Sequence, residues 1–262
     1  RSRVQNSEYY FKASVTWSKI ADSKFGARYS PQGSIFDVGG SSTFPNTEDQ
    51  FWITAFLCSK LVFLIMKSLC QTANFEAGHV SSLPLLLNRV QNKKQEITEL
   101  SQKIVSLTKA DWDSFEQSID FEESPLINRE GGDIKNIAQS LKDYINDVKE
   151  KKEEALKIEI LINQIFAEAY LLVDEIDCNI EDKEITLKSN PYYRYNTIKN
   201  ESLWERFEKD TVKELISYSV GCMMGRYSLY KKGLIIADSR NTQSEHLLHY
   251  ERTIGKPIKE LK

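Results

Sequence analysis

Cysteine is scarce and scattered. Cys58, Cys70, Cys178 and Cys222 form no Cys-x-x-Cys pair, so their spacing indicates neither a zinc site nor a disulfide framework, and a reducing, cytoplasmic setting fits. Long apolar runs are also missing. The longest, Ala55 to Met66, covers about twelve residues and contains Lys60. It is too short to span a bilayer and reads as a buried helix, so no membrane partner is expected. There is no signal-peptide pattern, and the chain opens on Arg1 rather than Met, in polar sequence, as a piece of something longer would. No Gly-rich strand-turn-helix unit for a nucleotide or methyl donor is present. Gly39-Gly40-Ser41-Ser42 lacks the Lys-Ser/Thr of a P-loop and reads as a strand-end loop, with a backbone contact to DNA left open. His246 and His249 lie three apart without further ligands nearby, so no metal site is expected.

The 262 residues carry a net charge of only −3, so overall charge does not announce nucleic acid. Its distribution says more. Residues 1–46 carry six Lys/Arg against three acids, whereas residues 134–177 carry six Lys against ten acids. If the chain meets a phosphate backbone, the first segment does so.

From Ile137 to Ile176, alternating steps of four and three select Ile137, Leu141, Tyr144, Val148, Lys151, Ala155, Ile158, Ile162, Ile165, Ala169, Leu172 and Ile176. This heptad stripe predicts one helix on the order of 60 Å long, with a partner covering its seam. The same stepping upstream selects Leu86, Val90, Lys93, Ile97, Leu100, Ile104 and Leu107. Folded back as an antiparallel hairpin, the stripes pair Ile104 with Leu141, Ile97 with Val148, and Lys93 with Lys151, a polar layer that would mark the register.

Residues 8–45 read as β-rich, with strands at Tyr9–Phe11, Ser14–Trp17, Phe25–Tyr29 and Ser34–Val38 and a Pro-Gly turn at Ser30–Gly33. Asn46–Asp49 is expected to cap one core helix running to Leu69. Thr72–Pro84 reads as a last strand with a Gly turn. Thr108–Asp111 resembles a capping box, so Asp111 and Asp113 read as helix-start chemistry rather than acid–base catalysis. The aromatics of the tip are expected to cover a neighbouring body. A helix is expected from Ser202 to Tyr227, where Gly221 and Gly225 permit a close approach. Leu234–Ala237 reads as a strand, and the residues after Asp238 as loosely ordered.

Two motifs invite chemistry. Ser189-Asn190-Pro191-Tyr192-Tyr193 nearly matches the Asn-Pro-Pro-Tyr loop of amino-methyltransferases, but without a methyl-donor unit upstream it reads as a Pro-aromatic turn, and no catalytic residue is assigned. Trp17-Ser18-Lys19, Ser23-Lys24 and Arg28-Tyr29-Ser30 interleave cations, hydroxyls and aromatics, the residue types that touch phosphates and base edges.

Trp17-Ser18-Lys19-Ile20, Phe25 to Tyr29, Phe36-Asp37-Val38-Gly39-Gly40 and Asn74-Phe75-Glu76-Ala77-Gly78 closing on Leu83-Pro84 resemble the target-recognition region of large bacterial adenine DNA methyltransferases, above all the PglX-type enzymes of BREX phage defence. Asp111 to Glu116, Ile162 to Phe166 with Ala169-Tyr170, and Ser217 to Leu229 are similar too. A residue expected to be acidic after Gly78 is His79 here. The resemblance implies a segment that is not itself an enzyme, related to Type I specificity subunits and Type II restriction-modification methylases. Its fold class would be α+β: a β-rich recognition domain with a core helix (1–84), an antiparallel coiled-coil spacer (85–180) with an irregular tip (108–133), and a helical C-terminal subdomain with a polar tail (181–262). S-adenosylmethionine would bind elsewhere in the parent. Double-stranded DNA, the methyltransferase domain, other defence subunits or a phage inhibitor would be partners. Lys19, Lys24, Arg28 and Ser30 are the expected DNA contacts, joined by Ser41, Ser42 and Asn74. A protein-interaction scaffold docking a subunit through the hairpin is the rival reading; a complete enzyme is a third.

Overall fold

The computed structural model describes residues 4–21, 24–70, 72, 74–127, 136–195, 202–236 and 243–257. The chain is α+β and divides into two compact units, Arg1–Ser106 with Glu154–Ile180 and Leu107–Glu153 with Glu181–Lys262. The expectations at Ser23, Ala73, Gly131-Gly132, Ala237 and Asp238 fall outside the described residues.

The first unit is built on an antiparallel sheet of β1 (Ser14–Ser18), β2 (Ala27–Ser30) and β3 (Gly40–Thr43), in the order β2-β1-β3. Successive side chains alternate between the two faces. Val15 and Trp17 are 0% and 2% exposed, on the inner face. Burial of such a side chain contributes about 1.5–3 kcal/mol, and Trp17 satisfies its indole by donating Nε1 to the Phe75 carbonyl at 3.0 Å. Two expected strands are corrected. Tyr9 ends a short 3-10 turn (Ser7–Tyr9). Ser34–Val38 is a loop, and the strand comes later, at Gly40–Thr43. The reason lies in Asp37, whose Oδ1 accepts the backbone N–H groups of Gly39 and Gly40 at 2.8 and 2.9 Å. This side-chain turn takes the place of a ladder.

The expected single core helix is two helices, α1 (Gln50–Cys58) and α2 (Lys60–Leu69), bent by 62°. Ser59 is extended and its hydroxyl accepts the Val62 N–H, an N-cap in mid-sequence. The Lys60 N–H turns out of the ladder to Asn163 Oδ1 at 2.8 Å. Among the described residues no single helix is long and apolar enough to cross a membrane. Trp52, Phe56, Leu61, Val62 and Met66 instead form the core with Phe25 and Phe75.

Among its described residues Thr72–Pro84 is not the expected strand. Only Asn74 bridges Ile20, and a short helix, α3 (Ala77–Ser81), follows. His79 stands where a capping box uses Glu or Gln, and its Nδ1 accepts the Glu76 N–H at 3.2 Å. The upstream rod helix is likewise interrupted: α4 (Leu87–Val90), a 3-10 turn (Gln91–Lys93), then α5 (Lys94–Asp113). The second long helix, α6, spans Ile137–Ala169 and stops short of Ile176. Leu171 adopts the left-handed region at φ 58°. Leu172 N–H then reaches Ala167 O, and Leu171 N–H reaches Glu168 O, the two bonds of a Schellman stop.

The expected layer pairing is corrected. In the first unit Ile97, Leu100 and Ile104 share a core with Ile158, Ile162 and Ile165. Lys103, which the stepping sets beside the Leu141 layer, bonds Glu154, about two heptads further along. A slip by whole heptads leaves the stripe facing its partner, so periodicity does not choose between the two registers. Lys93 pairs with Glu96 and Lys151 with Asp147, each within its own stretch of chain.

In the second unit Leu141, Tyr144, Ile145 and Val148 of α6 pack on Tyr195, Phe207, Leu203 and Trp204, the last three on α8 (Leu203–Met223). The tip aromatics cover this chain's own core: Phe121 packs on Tyr218 and Tyr227. A Cβ at Gly221 would come within 2.7 Å of the Tyr227 ring, so the close approach expected there is made by an aromatic side chain. Ile235 is in a loop, bonded to the Arg226 carbonyl, not in a strand. The tail contains a helix, α9 (Gln243–Ile254), after α7 (Pro191–Arg194) and α8 in chain order.

Candidate nucleic-acid interface

Directly opposed residues of an antiparallel pair share a face. Thr16 opposes both Arg28 and Ser42, Ser14 opposes Ser30, and Ser18 opposes Gly40. The outer face therefore presents Thr16, Ser18, Arg28, Ser30 and Ser42, with Ser14 on the same side but buried. A concavity of about 150 Å³ lies on it, lined by Lys12, Ser14, Thr16, Ser30, Ser34, Ile35, Phe36, Asp37, Gly40, Ser42 and Phe44. Aromatic contacts wall one side: Phe36 meets Phe44 at 5.1 Å and Tyr10 at 5.5 Å. Hydroxyls both donate and accept, and Lys12 adds a cation, so this face can bond phosphates and base edges alike.

Three of the seven expected contact residues, Arg28, Ser30 and Ser42, meet on this face. Ser41 opposes Trp17 and so belongs to the inner side. Lys19 sits beyond the strand, where its N–H reaches Gly39 and its carbonyl accepts the Phe75 N–H. Its ammonium pairs with Glu76 at 3.5 Å, a part-exposed pair of small energetic weight. Asn74 donates to Glu76 at 3.4 Å, while its Oδ1 is buried without a partner among the described residues. The Lys24 ammonium stands 5.9 Å over the Phe63 ring. It also acts with Lys60 on Glu159, whose carboxyl burial raises to about 7 against the pull of those two cations. Lys12, Ser14, Thr16, Ser34 and Asp37 were not among the expected contacts. The polar–apolar alternation of Ser14-Val15-Thr16-Trp17-Ser18 carried the signal for two of them.

The second unit brings together the two motifs that tempt a catalytic reading. Asp111, 6% exposed, lies inside α5 and not at a helix start. Its carboxylate accepts the Lys188 N–H at 2.6 Å, the Ser189 N–H at 3.2 Å and the Ser189 hydroxyl. Burial nevertheless raises its pKa, opposed by those bonds. Asn190, fully buried, donates Nδ2 to the carbonyls of Asp182 and Ile185 at 2.7 and 2.8 Å, and its Oδ1 accepts the Tyr192 N–H. Lys188 lies over the rings of Trp112 and Phe115 at 4.8 and 4.4 Å. Every polar atom of Asn190 that could hold a base is occupied in shaping the turn, so this arrangement anchors structure. Among the described residues no three potential metal ligands cluster.

No family model matches the chain. Two curated relatives do. The chain is 36% identical over 245 residues to the adenine-specific methyltransferase BrxX of Escherichia coli O9:H4 (strain HS), covering 92% of this chain and 19% of that protein. It is 30% identical over 247 residues to the adenine-specific methyltransferase PglX of Lacticaseibacillus casei (strain Zhang), covering 90% of this chain and 18% of the relative. The chain belongs to the PglX-type proteins. It spans about a fifth of the length of these relatives. Within the PglX-type frame, the position after Gly78 has a local structural role here, since His79 closes the turn that leads from the sheet into α3.

Proposed function

We propose that this PglX-type segment is the DNA target-recognition part of an adenine-specific methyltransferase of BREX phage defence, working in the cytoplasm with S-adenosylmethionine bound elsewhere in the parent. The observation that carries the reading is the outer sheet face, where Arg28, Ser30, Ser42, Thr16 and Lys12 stand on one surface. Support also comes from relatives named as adenine-specific methyltransferases. Residues 1–84 would supply the reader, 85–180 a coiled-coil spacer toward the methyltransferase domain, and 181–262 a helical body. Double-stranded DNA is the partner of the sheet face. Arg28→Ala in the full-length parent should weaken duplex binding and reduce the slope of log affinity against log salt by about 1. Binding that keeps its strength and slope would overturn the reading.

One observation favours a scaffold role beside it. Val212, Ile216, Val220 and Met223 form an exposed apolar stripe along α8, a pattern that suits helix-in-groove docking of another defence subunit or a phage inhibitor. Ile216→Lys should then abolish co-purification of that subunit while leaving duplex binding intact.

A further inference from the structure

We infer that the concavity on the outer sheet face reads the major-groove edge of one base that bears an exocyclic amino group there, adenine or cytosine, with Asp37 as the acceptor. The inference rests on the recognition role proposed above and specifies its chemistry.

Among the described residues Asp37 is the only acid lining the concavity. Among the described residues its bonds are the two that Oδ1 accepts from Gly39 and Gly40. They fix the carboxylate at the entry to β3 and leave the second oxygen uncommitted. A fixed carboxylate repels phosphate, so a plain backbone cradle is disfavoured at this spot. An ionised carboxylate accepts and never donates, which suits an amino group and opposes the carbonyl of guanine or thymine. Ser30, on the same wall, can meet either kind of edge, and Ser42, whose hydroxyl donates to the Gly40 carbonyl at 3.5 Å, can still accept. Phe36 and Phe44 supply an apolar side for the base, and Lys12 stands within the lining for the neighbouring phosphate.

The test uses the full-length methyltransferase and sequencing of methylated sites. Asp37→Asn keeps an acceptor for the Gly39 and Gly40 N–H groups and replaces the free oxygen by a donor. At one position of the modified sequence, preference should move from adenine or cytosine toward guanine or thymine by about tenfold or more. Ser30→Ala leaves the Asp37 turn untouched and should relax preference at that same position severalfold, which decides the matter if Asp37→Asn fails to fold. If Ser30→Ala and a folded Asp37→Asn both methylate the wild-type sequence with unchanged relative rates, the inference is overturned while the recognition role stands. If Arg28→Ala leaves binding strength and salt slope unaltered, the recognition role falls and the inference falls with it.

Discussion

The two units place the same kinds of side chain in opposite circumstances. On the sheet of the first unit, Thr16, Arg28, Ser30 and Ser42 stand on a surface around a concavity. In the second unit, Asp111, Ser189 and Asn190 are buried and bonded to backbone. Polar residue types attract a functional reading in both places. What separates the two is how much bonding capacity is left: the Thr16 and Ser42 hydroxyls donate to the Gly40 and Ser41 carbonyls but still accept. A buried group that gives all its bonds to the chain's own backbone has nothing left for a ligand.

The sharpest way to break this comparison is Asp111→Ala. It strips the acceptor from the part-buried Lys188 and buried Ser189 donors and should cost about 3 kcal/mol, seen as a lower unfolding midpoint. Salt-dependent duplex binding by protein that remains folded should be unchanged; a specific loss of binding without loss of stability would give the second unit a direct part in recognition. Gly221→Ala drives a methyl group into the Tyr227 ring and should destabilise the second unit by about 1–3 kcal/mol. A neutral result in denaturant titration would show that the ring can move aside.

The first unit has a half-buried carboxyl of its own. The Glu159 carboxyl is raised from 4.5 to about 7 by burial, with Lys24 and Lys60 working the other way. Because the folded value exceeds the unfolded one, the cost is absent below about pH 4.5, grows between 4.5 and 7, and is complete above 7. Glu159→Gln should therefore stabilise the protein at pH 8 by about 1–2 kcal/mol and leave it nearly unchanged at pH 4. A loss of stability at pH 8 would mean that the two lysines outweigh the burial. The smallest effect is expected at exposed Leu171, held at φ 58° in the α6 stop. Leu171→Gly should raise stability by about 0.5–1 kcal/mol by relieving the left-handed strain, measurable as a shift of one to a few degrees in Tm.

Much of this architecture was legible locally. The period of 3.5 along α6 and along Ile97–Ile104 marked the buried faces, and alternation in Ser14–Ser18 marked the sheet. The candidate site was half legible. Arg28, Ser30 and Ser42 belong to it, but Asp37 looked like part of a strand, and its turn is visible only once Gly39 and Gly40 are seen to donate to it. Lys24 and Lys19 stand out by charge alone, and charge does not say which acid or ring a flexible ammonium will find. The break at Ser59 is hidden because apolar residues flank Ser59 and Lys60 on both sides from Ala55 to Met66, and the bond from Lys60 to Asn163 spans 103 residues.

Sequence alone determined which faces are apolar, because helix and strand periods are properties of a few neighbouring residues. It also determined kinship with the PglX-type proteins, since identity is spread along nearly the whole chain. Tertiary structure alone decided the axial register of the long helices, the bend between α1 and α2, and the union of Asp111 with Ser189. A heptad stripe looks the same after sliding by seven residues. Which register wins is set by contacts such as Lys103 with Glu154, made between residues that no local pattern connects.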